Sequence, residues 1–207
     1  MSNYALISEY VVSGNETGVI NEVNSALAAG AAPLEILNEG LLTGMNIVGE
    51  KFANGEMFVP EVLMAARSMN GGMDIVKPLL ADGDSTSLGT VVIGTVKGDL
   101  HDIGKNLVVM MLESAGFKVI NLGVDAKKED FIKEAKENDA QIIAMSAMLT
   151  TTMTYMAEII QSCKDAGIDA QYMIGGAPVT PAYAEKISAV YTADASTASE
   201  KAKALVS

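Results

Sequence analysis

From the amino terminus to about residue 80, apolar side chains recur every three or four positions, the spacing of one helix face. Val19, Ile20, Val23 and Leu27 form one stripe, which stops at Gly30. Pro33 then opens a longer helix, since proline in a first turn has no intrahelical N–H bond to lose. Leu34, Leu37, Leu41, Met45, Val48 and Phe52 follow at steps of 3, 4, 4, 3 and 4. Asn54-Gly55 interrupts the pattern, and Pro60 starts a further helix carrying Leu63, Ala66, Met69 and Met73. Residues 1–84 are therefore expected to form a small four-helix bundle. The polar run Ala81-Asp82-Gly83-Asp84-Ser85-Thr86-Ser87 reads as a linker.

Beyond Leu88 the period changes. Short β-branched runs stand at Thr90–Val96, Lys118–Leu122, Gln141–Met145, Tyr172–Ile174 and Val190-Tyr191. They alternate with helical segments at Ile103–Ser114, Lys128–Asn138, Thr152–Ala166, Ala182–Ser188 and Ser196–Leu205. Such alternation calls for right-handed crossovers and a parallel sheet covered on both faces. The fold class expected for residues 88–207 is thus α/β, a Rossmann-like, flavodoxin-like doubly wound sheet of five parallel strands. In the order 2-1-3-4-5 its binding crevice lies at the carboxyl ends of the first and third strands.

Three strand ends facing that crevice carry unusual chemistry. The first runs into Gly98-Asp99-Leu100-His101-Asp102-Ile103-Gly104, which holds the only histidine of the chain. Imidazole is the commonest metal ligand, and a carboxylate two residues away can orient it and raise its basicity. The third ends in the hydroxyl-rich turn Ser146-Ala147-Met148-Leu149-Thr150-Thr151-Thr152-Met153. The fourth ends in Gly175-Gly176, where paired glycines are expected to let a ligand approach the backbone.

Several nucleotide and metal chemistries drop out. Gly94-Thr95-Val96-Lys97-Gly98 matches neither the dinucleotide fingerprint nor the phosphate-loop spacing. A phosphoacceptor receiver needs an aspartate where the third strand ends in Ser146. Zinc is disfavoured, because one histidine and the remote Cys163 do not make a three-ligand site. A metal held by a single histidine must bring its other ligands with it, as in haem or a corrinoid.

Composition narrows the partners. With 14 basic against 26 acidic residues the net charge is −12, and no Lys/Arg cluster supplies the footprint that nucleic acid requires. There is neither an apolar run of about 18 residues nor a basic segment followed by an apolar one at the amino terminus. No membrane association is expected. A single cysteine excludes an internal disulfide, and the expected compartment is the cytoplasm. The 13 methionines read mostly as core filler, with some lending adaptability to apolar surfaces.

Asp99-x-His101-x-x-Gly104, Ser146-x-Met148 and Gly175-Gly176 together resemble the cobalamin-binding signature of corrinoid methyltransferase proteins and methionine synthase. Residues 105–145 and 149–174, gaps of 41 and 26, match the family's spacing. Met148 stands where the family carries leucine. The helical half is similar to the family's cap through residues 44–52 and 55–60. The resemblance implies that His101 ligates cobalt from below in place of the cofactor's own base, with Asp99 and Thr152 extending the hydrogen-bonded relay. It implies that Gly98, Leu100, Asp102, Gly104, Ser146, Thr150, Gly175, Gly176 and Ala195 bind the cofactor. Phe52, Phe58, Val59 and Val62 match cap positions covering the upper face, and the 81–87 linker is the implied hinge.

The implied cofactor is cobalamin or a related corrinoid, methylcobalamin in the loaded state. The implied function is a methyl carrier, non-catalytic on its own, that accepts a methyl group on Co(I) and delivers it from methyl-Co(III). Its implied partners are a substrate:corrinoid methyltransferase, a corrinoid:pterin or corrinoid:thiol methyltransferase and a reductive activase. The 146–153 and 175–180 segments look most like carriers serving trimethylamine or glycine betaine enzymes. Two other classes share the cofactor. A cobalamin-dependent sensor is expected to add a DNA-binding domain, and a mutase subunit to couple to a radical-generating barrel and lack the cap.

Overall fold

The computed structural model describes residues 4–80 and 87–206. Two compact units divide the chain, Met1–Thr86 with Ser114–Gly116, and Ser87–Glu113 with Phe117–Ser207. Apart from Ser87, the expected linker lies outside the described residues.

The first unit is helical. It consists of α1 (Tyr4–Val12), α2 (Glu16–Ala28), α3 (Pro33–Glu35), a π-helical stretch Ile36–Leu42, α4 (Thr43–Ala53) and α5 (Val59–Val76). The side chain of Asn15 caps α2 by accepting the Gly18 amide at 3.0 Å. Glu61 does the same for α5, accepting the Phe58 amide at 2.8 Å. The long helix expected from Pro33 is present, but its middle winds as a π-helix. The wider turn brings positions i and i+4 into line, and Ile36, Leu37, Gly40 and Leu41 are all buried. Small residues let α1 close on this helix: a Cβ on Gly44 would stand 2.7 Å from Val11 Cβ and 3.0 Å from the Ser8 carbonyl oxygen.

The inward face of α5 is Val62, Ala65, Ala66, Ser68, Met69, Gly72 and Val76. Val62, expected at the cofactor's upper face, is fully buried. Phe58 and Val59, at the start of the same helix, are exposed, and Phe52 is half-buried.

The second unit holds five parallel strands, β1 (Thr90–Thr95), β2 (Lys118–Asn121), β3 (Ile142–Ser146), β4 (Gln171–Gly175) and β5 (Val190–Tyr191). Their order is β2-β1-β3-β4-β5. Between and after them run α6 (Ile103–Ser114), α7 (Lys128–Glu137), α8 (Thr150–Met153), α9 (Tyr155–Asp165), α10 (Pro181–Lys186) and α11 (Ala195–Val206). Side chains alternate across the sheet. Val92, Ile143, Tyr172 and Ile174 join Phe131, Met156 and Ile159 of α7 and α9 in one core. Burying each large apolar side chain there contributes about 1.5–3 kcal/mol.

The opposite face is different. Ile93 pairs with Ala144 and Thr95 with Ser146, while Ala144 pairs with Met173 and Ser146 with Gly175. Small residues at the centre of that face leave room above β3 and β4. The helix expected over Thr152–Ala166 is broken at Thr154 into α8 and α9. Local hydroxyl bonds compete with the helix here, Thr154 Oγ1 donating to the Thr151 carbonyl at 3.1 Å.

Candidate cofactor site

β1 ends at Thr95, and the chain crosses Val96–Asp102 before α6 begins. The Val96 N–H donates to the Ser146 carbonyl at 3.0 Å, which ties this loop to the tip of β3. Thr95 Oγ1 donates to the His101 carbonyl at 2.8 Å. Behind the histidine sits Asp99, with no exposed surface at all. Its Oδ1 accepts the His101 Nδ1–H at 2.7 Å and the His101 backbone N–H at 3.2 Å. Oδ2 accepts the Met148 amide at 2.8 Å and the Thr152 hydroxyl at 2.7 Å.

Burial raises the pKa of a carboxyl group, but four donors outweigh it. The Met148 amide acts most strongly, then the Thr152 hydroxyl, the His101 ring and the His101 amide. Together they hold Asp99 well below the usual carboxylate range. An ionised Asp99 keeps the imidazole proton on Nδ1. Nε2 is thus the free lone pair, without a hydrogen-bond partner among the described residues, on a side chain that is 55% exposed.

Beside His101 opens a cavity of about 660 Å³ between the start of α6, the tips of β3 and β4, and the loop entering α11. Leu100, His101, Asp102, Gly104, Ser146, Gly175, Gly176 and Ala195, all expected at the site, line it. Gly98 and Asp99 are not on the wall. Gly98 and Thr152 line a separate, more open cleft with Lys97 and Tyr155. Thr150, also expected at the site, is exposed at the start of α8 and lines neither wall.

Sequence reasoning missed Ile93, Ala144, Met173 and Tyr191, which form part of the cavity wall. In a strand pattern they are indistinguishable from core. The one available signal was small Ala144 between large neighbours in β3. Lys105 was also missed. It lines the cavity and is buried, and its ammonium donates to Asn106 Oδ1 at 2.6 Å and Asn121 Oδ1 at 2.9 Å. Burial lowers its pKa, opposed by the nearby Asp102 carboxylate.

The glycines divide by role. A Cβ on Gly104 would meet nothing within 4 Å, so this position opens space beside His101. Gly176 has φ +120°, and a Cβ there would fall 1.9 Å from the Ala147 carbonyl oxygen. A Cβ on Gly175 would come 2.9 Å from the Thr192 carbonyl oxygen. The pair therefore lets the tips of neighbouring strands pack together, and both residues also line the cavity.

These residues fit a corrinoid. Among the described residues no group of three or more His, Cys, Asp or Glu side chains can hold a bare metal ion. What is present is one oriented imidazole, an open cavity beside it, and an apolar surface around it. Leu100 and Ile103 flank His101 at 73% and 88% exposure, and Met148 and Leu149 extend the exposed apolar surface from the β3 loop. A metal carried in its own flat macrocycle suits that set: Nε2 of His101 for the metal, the apolar rim for the ring and the cavity for an appended group.

Comparison with known proteins agrees. A model of a B12 binding domain matches residues 89–205, and a second model with the same description matches residues 5–77. Trimethylamine corrinoid protein 1 of Methanosarcina mazei is 48% identical over 184 residues, 86% of this chain and 85% of that protein. Dimethylamine corrinoid protein 3 of Methanosarcina acetivorans is 43% identical over 203 residues, covering 97% and 95%. A chain in the crystal structure of the methanol:cobalamin methyltransferase complex MtaBC from Methanosarcina barkeri superposes with a TM-score of 0.89. It is 28% identical, and the match covers 98% of this chain and 79% of that one.

Proposed function

The chain belongs to the family of B12-binding corrinoid proteins, and from that premise we propose that it carries methyl groups between separate methyltransferases, loaded from a methylated amine. It is the non-catalytic carrier of such a system. The observation that carries this reading is the buried Asp99–His101 pair with its free Nε2 beside the cavity. When bound, the corrinoid supplies a cobalt centre that can take up a methyl group and give it away again.

The chain's residues then have distinct tasks. His101 holds the metal through Nε2, and Asp99 fixes the tautomer by accepting from Nδ1. The Met148 amide and Thr152 hydroxyl hold the carboxylate ionised, so the shared proton rests on Nδ1. Gly104, Ser146 and Gly175 keep the cavity open for the cofactor's nucleotide tail. Phe58 and Val59, with Phe52, are assigned to excluding water from the cofactor's upper face. Val62, expected in the same role, is buried at the start of the same helix.

Trimethylamine is the first donor to try, because the 48% relative bears that substrate in its name, and dimethylamine the second. Glycine betaine is the remaining donor to compare. The partners are a substrate:corrinoid methyltransferase, a second methyltransferase acting on a pterin or thiol, and a reductive activase. The test is to load the purified chain with hydroxocobalamin, reduce it, and add each amine with its methyltransferase. Methylation of the bound corrinoid, followed by absorbance, is expected with trimethylamine. Its absence with every amine enzyme overturns the donor class, and its absence with the betaine and methanol enzymes as well overturns the carrier reading.

A further inference from the structure

Asp125 lies on the loop between β2 and α7, outside the cavity wall and exposed to solvent. Its backbone φ is +53°, in the left-handed region that non-glycine residues rarely occupy and that Asp and Asn tolerate best. Two hydrogen bonds join it in opposite directions to the loop carrying His101. The Gly98 N–H donates to Asp125 Oδ1 at 2.7 Å, and the Asp125 N–H donates to the Asp99 carbonyl at 3.1 Å. The next residue continues the seam, with the Ala126 N–H donating to the Thr95 carbonyl at 2.9 Å.

The Gly98-Asp99 dipeptide is thus held at its two ends, by the Gly98 N–H and the Asp99 carbonyl. Gly98 is itself left-handed, at φ +80°, in a turn that the Asp99 N–H closes on the Val96 carbonyl at 3.1 Å, while its own N–H is held by the Asp125 carboxylate. A hydrogen bond to a charged acceptor is among the stronger ones. Rare backbone conformations persist where surrounding contacts demand them, and here the contacts lead directly to the Asp99 carboxylate.

We infer that Asp125 is a positioning residue, a latch that holds Gly98–Asp99 so that Asp99 meets His101 and Nε2 is presented in one orientation before the cofactor arrives. It acts through the loop and touches no part of the cavity. The inference rests on the reading of His101 as the ligand of a corrinoid cobalt.

The experiment uses the full chain as wild type, Asp125→Asn, Asp125→Gly and Asp125→Ala, each checked for fold by circular dichroism and melting. Each protein is grown on nitrogen-15 histidine and titrated with hydroxocobalamin. The complex, freed of unbound cofactor, is reduced to Co(II), and the fraction showing the nitrogen-15 doublet of His101, distinct from the nitrogen-14 triplet of the cofactor's own base, is read by electron paramagnetic resonance. Asparagine keeps an acceptor and tolerates the left-handed backbone, so affinity within about threefold of wild type is expected. Glycine keeps the backbone and removes only the acceptor. It is expected to bind about tenfold more weakly and to lose much of the histidine-coupled fraction. That fraction is a ratio within the bound population, so partial loss of fold does not alter it. Asp125→Ala carries the same expectation should the glycine variant precipitate.

Wild-type behaviour of the glycine variant in both measurements overturns the latch. So does an asparagine variant as impaired as glycine. A wild type that shows no histidine coupling overturns the ligand reading itself and the latch with it, a result distinct from the other two.

Discussion

Removing the Thr152 hydroxyl probes the carboxylate that orients His101. In Thr152→Val the side chain keeps its shape and loses Oγ1, which donates to Asp99 Oδ2 at 2.7 Å with both residues buried. The Leu149 carbonyl, which lies 3.0 Å from the same hydroxyl, keeps the Met153 amide as a donor. A hydrogen bond to a buried charge is worth about 1.5–3 kcal/mol, and an isosteric replacement adds no cavity cost. The pH dependence follows from sign. Asp99 titrates lower when folded than the unfolded value of about 3.9. Its stabilisation is therefore complete above that value and is lost as pH falls toward the folded one. Losing a donor raises the folded value, so Thr152→Val is expected to cost about 1.5–3 kcal/mol at pH 7, and the same at about pH 5. The gap narrows only once pH falls below the variant's own folded value. Native-state amide exchange in β1 and β3 measures this locally, which suits a chain of two units better than a single melting curve. Thr152→Ser keeps the donor and should lose only the methyl burial, about 0.8 kcal/mol. A valine variant within about 0.5 kcal/mol of wild type, or a serine variant equally damaged, refutes the reasoning.

Gly104→Ala is expected to leave the cofactor-free protein unchanged or to stabilise it by about 0.4–1 kcal/mol, because nothing stands within 4 Å of the new Cβ. The same methyl intrudes beside His101, so hydroxocobalamin affinity should fall while the melting temperature holds or rises. Gly176→Ala is the opposite case. Its Cβ meets the Ala147 carbonyl oxygen at 1.9 Å and its φ is +120°, so a loss of more than about 3 kcal/mol is expected in denaturant unfolding without any cofactor. Cys163 is buried and its thiol is pushed up to about 11 by burial. Native protein at pH 8 should therefore resist a thiol reagent that labels the urea-unfolded chain at once.

The sequence made some of this legible and hid the rest for physical reasons. Apolar period separates the helical half from the β–α half, because helix and strand faces repeat at different intervals. The parallel sheet follows from that alternation together with the rules of crossover handedness, and the observed order 2-1-3-4-5 is the doubly wound one that suits five strands. Asp99 and His101 were legible because polar residues of this kind on a strand-end loop have no packing role. Asp125 was not, since nothing in Gly123-Val124-Asp125-Ala126 reveals a left-handed backbone or a partner 27 positions earlier in sequence at Gly98. Ala144 and Met173 look like ordinary core until the strand register places them side by side under a cavity. Nothing in Pro60-Glu61-Val62-Leu63 says that Val62 rather than Leu63 faces the bundle, since periodicity gives the spacing of a helix face but not which side the bundle occupies. The Gly175-Gly176 pair stands out as a motif in the sequence, but its packing between strand tips appears only in three dimensions, where both residues also line the cavity.

The central claim is that Nε2 of His101 is the lower ligand of a bound corrinoid's cobalt. Because His101 is the only histidine in the chain, growth on nitrogen-15 histidine labels that ligand alone. The protein is reconstituted with hydroxocobalamin, reduced to Co(II), and examined by electron paramagnetic resonance. Each cobalt hyperfine line is expected to change from a triplet to a doublet on labelling, and the doublet to vanish in His101→Ala. Lines unaltered by the label mean that the axial nitrogen comes from the cofactor's own base, and that contradicts the assignment of His101.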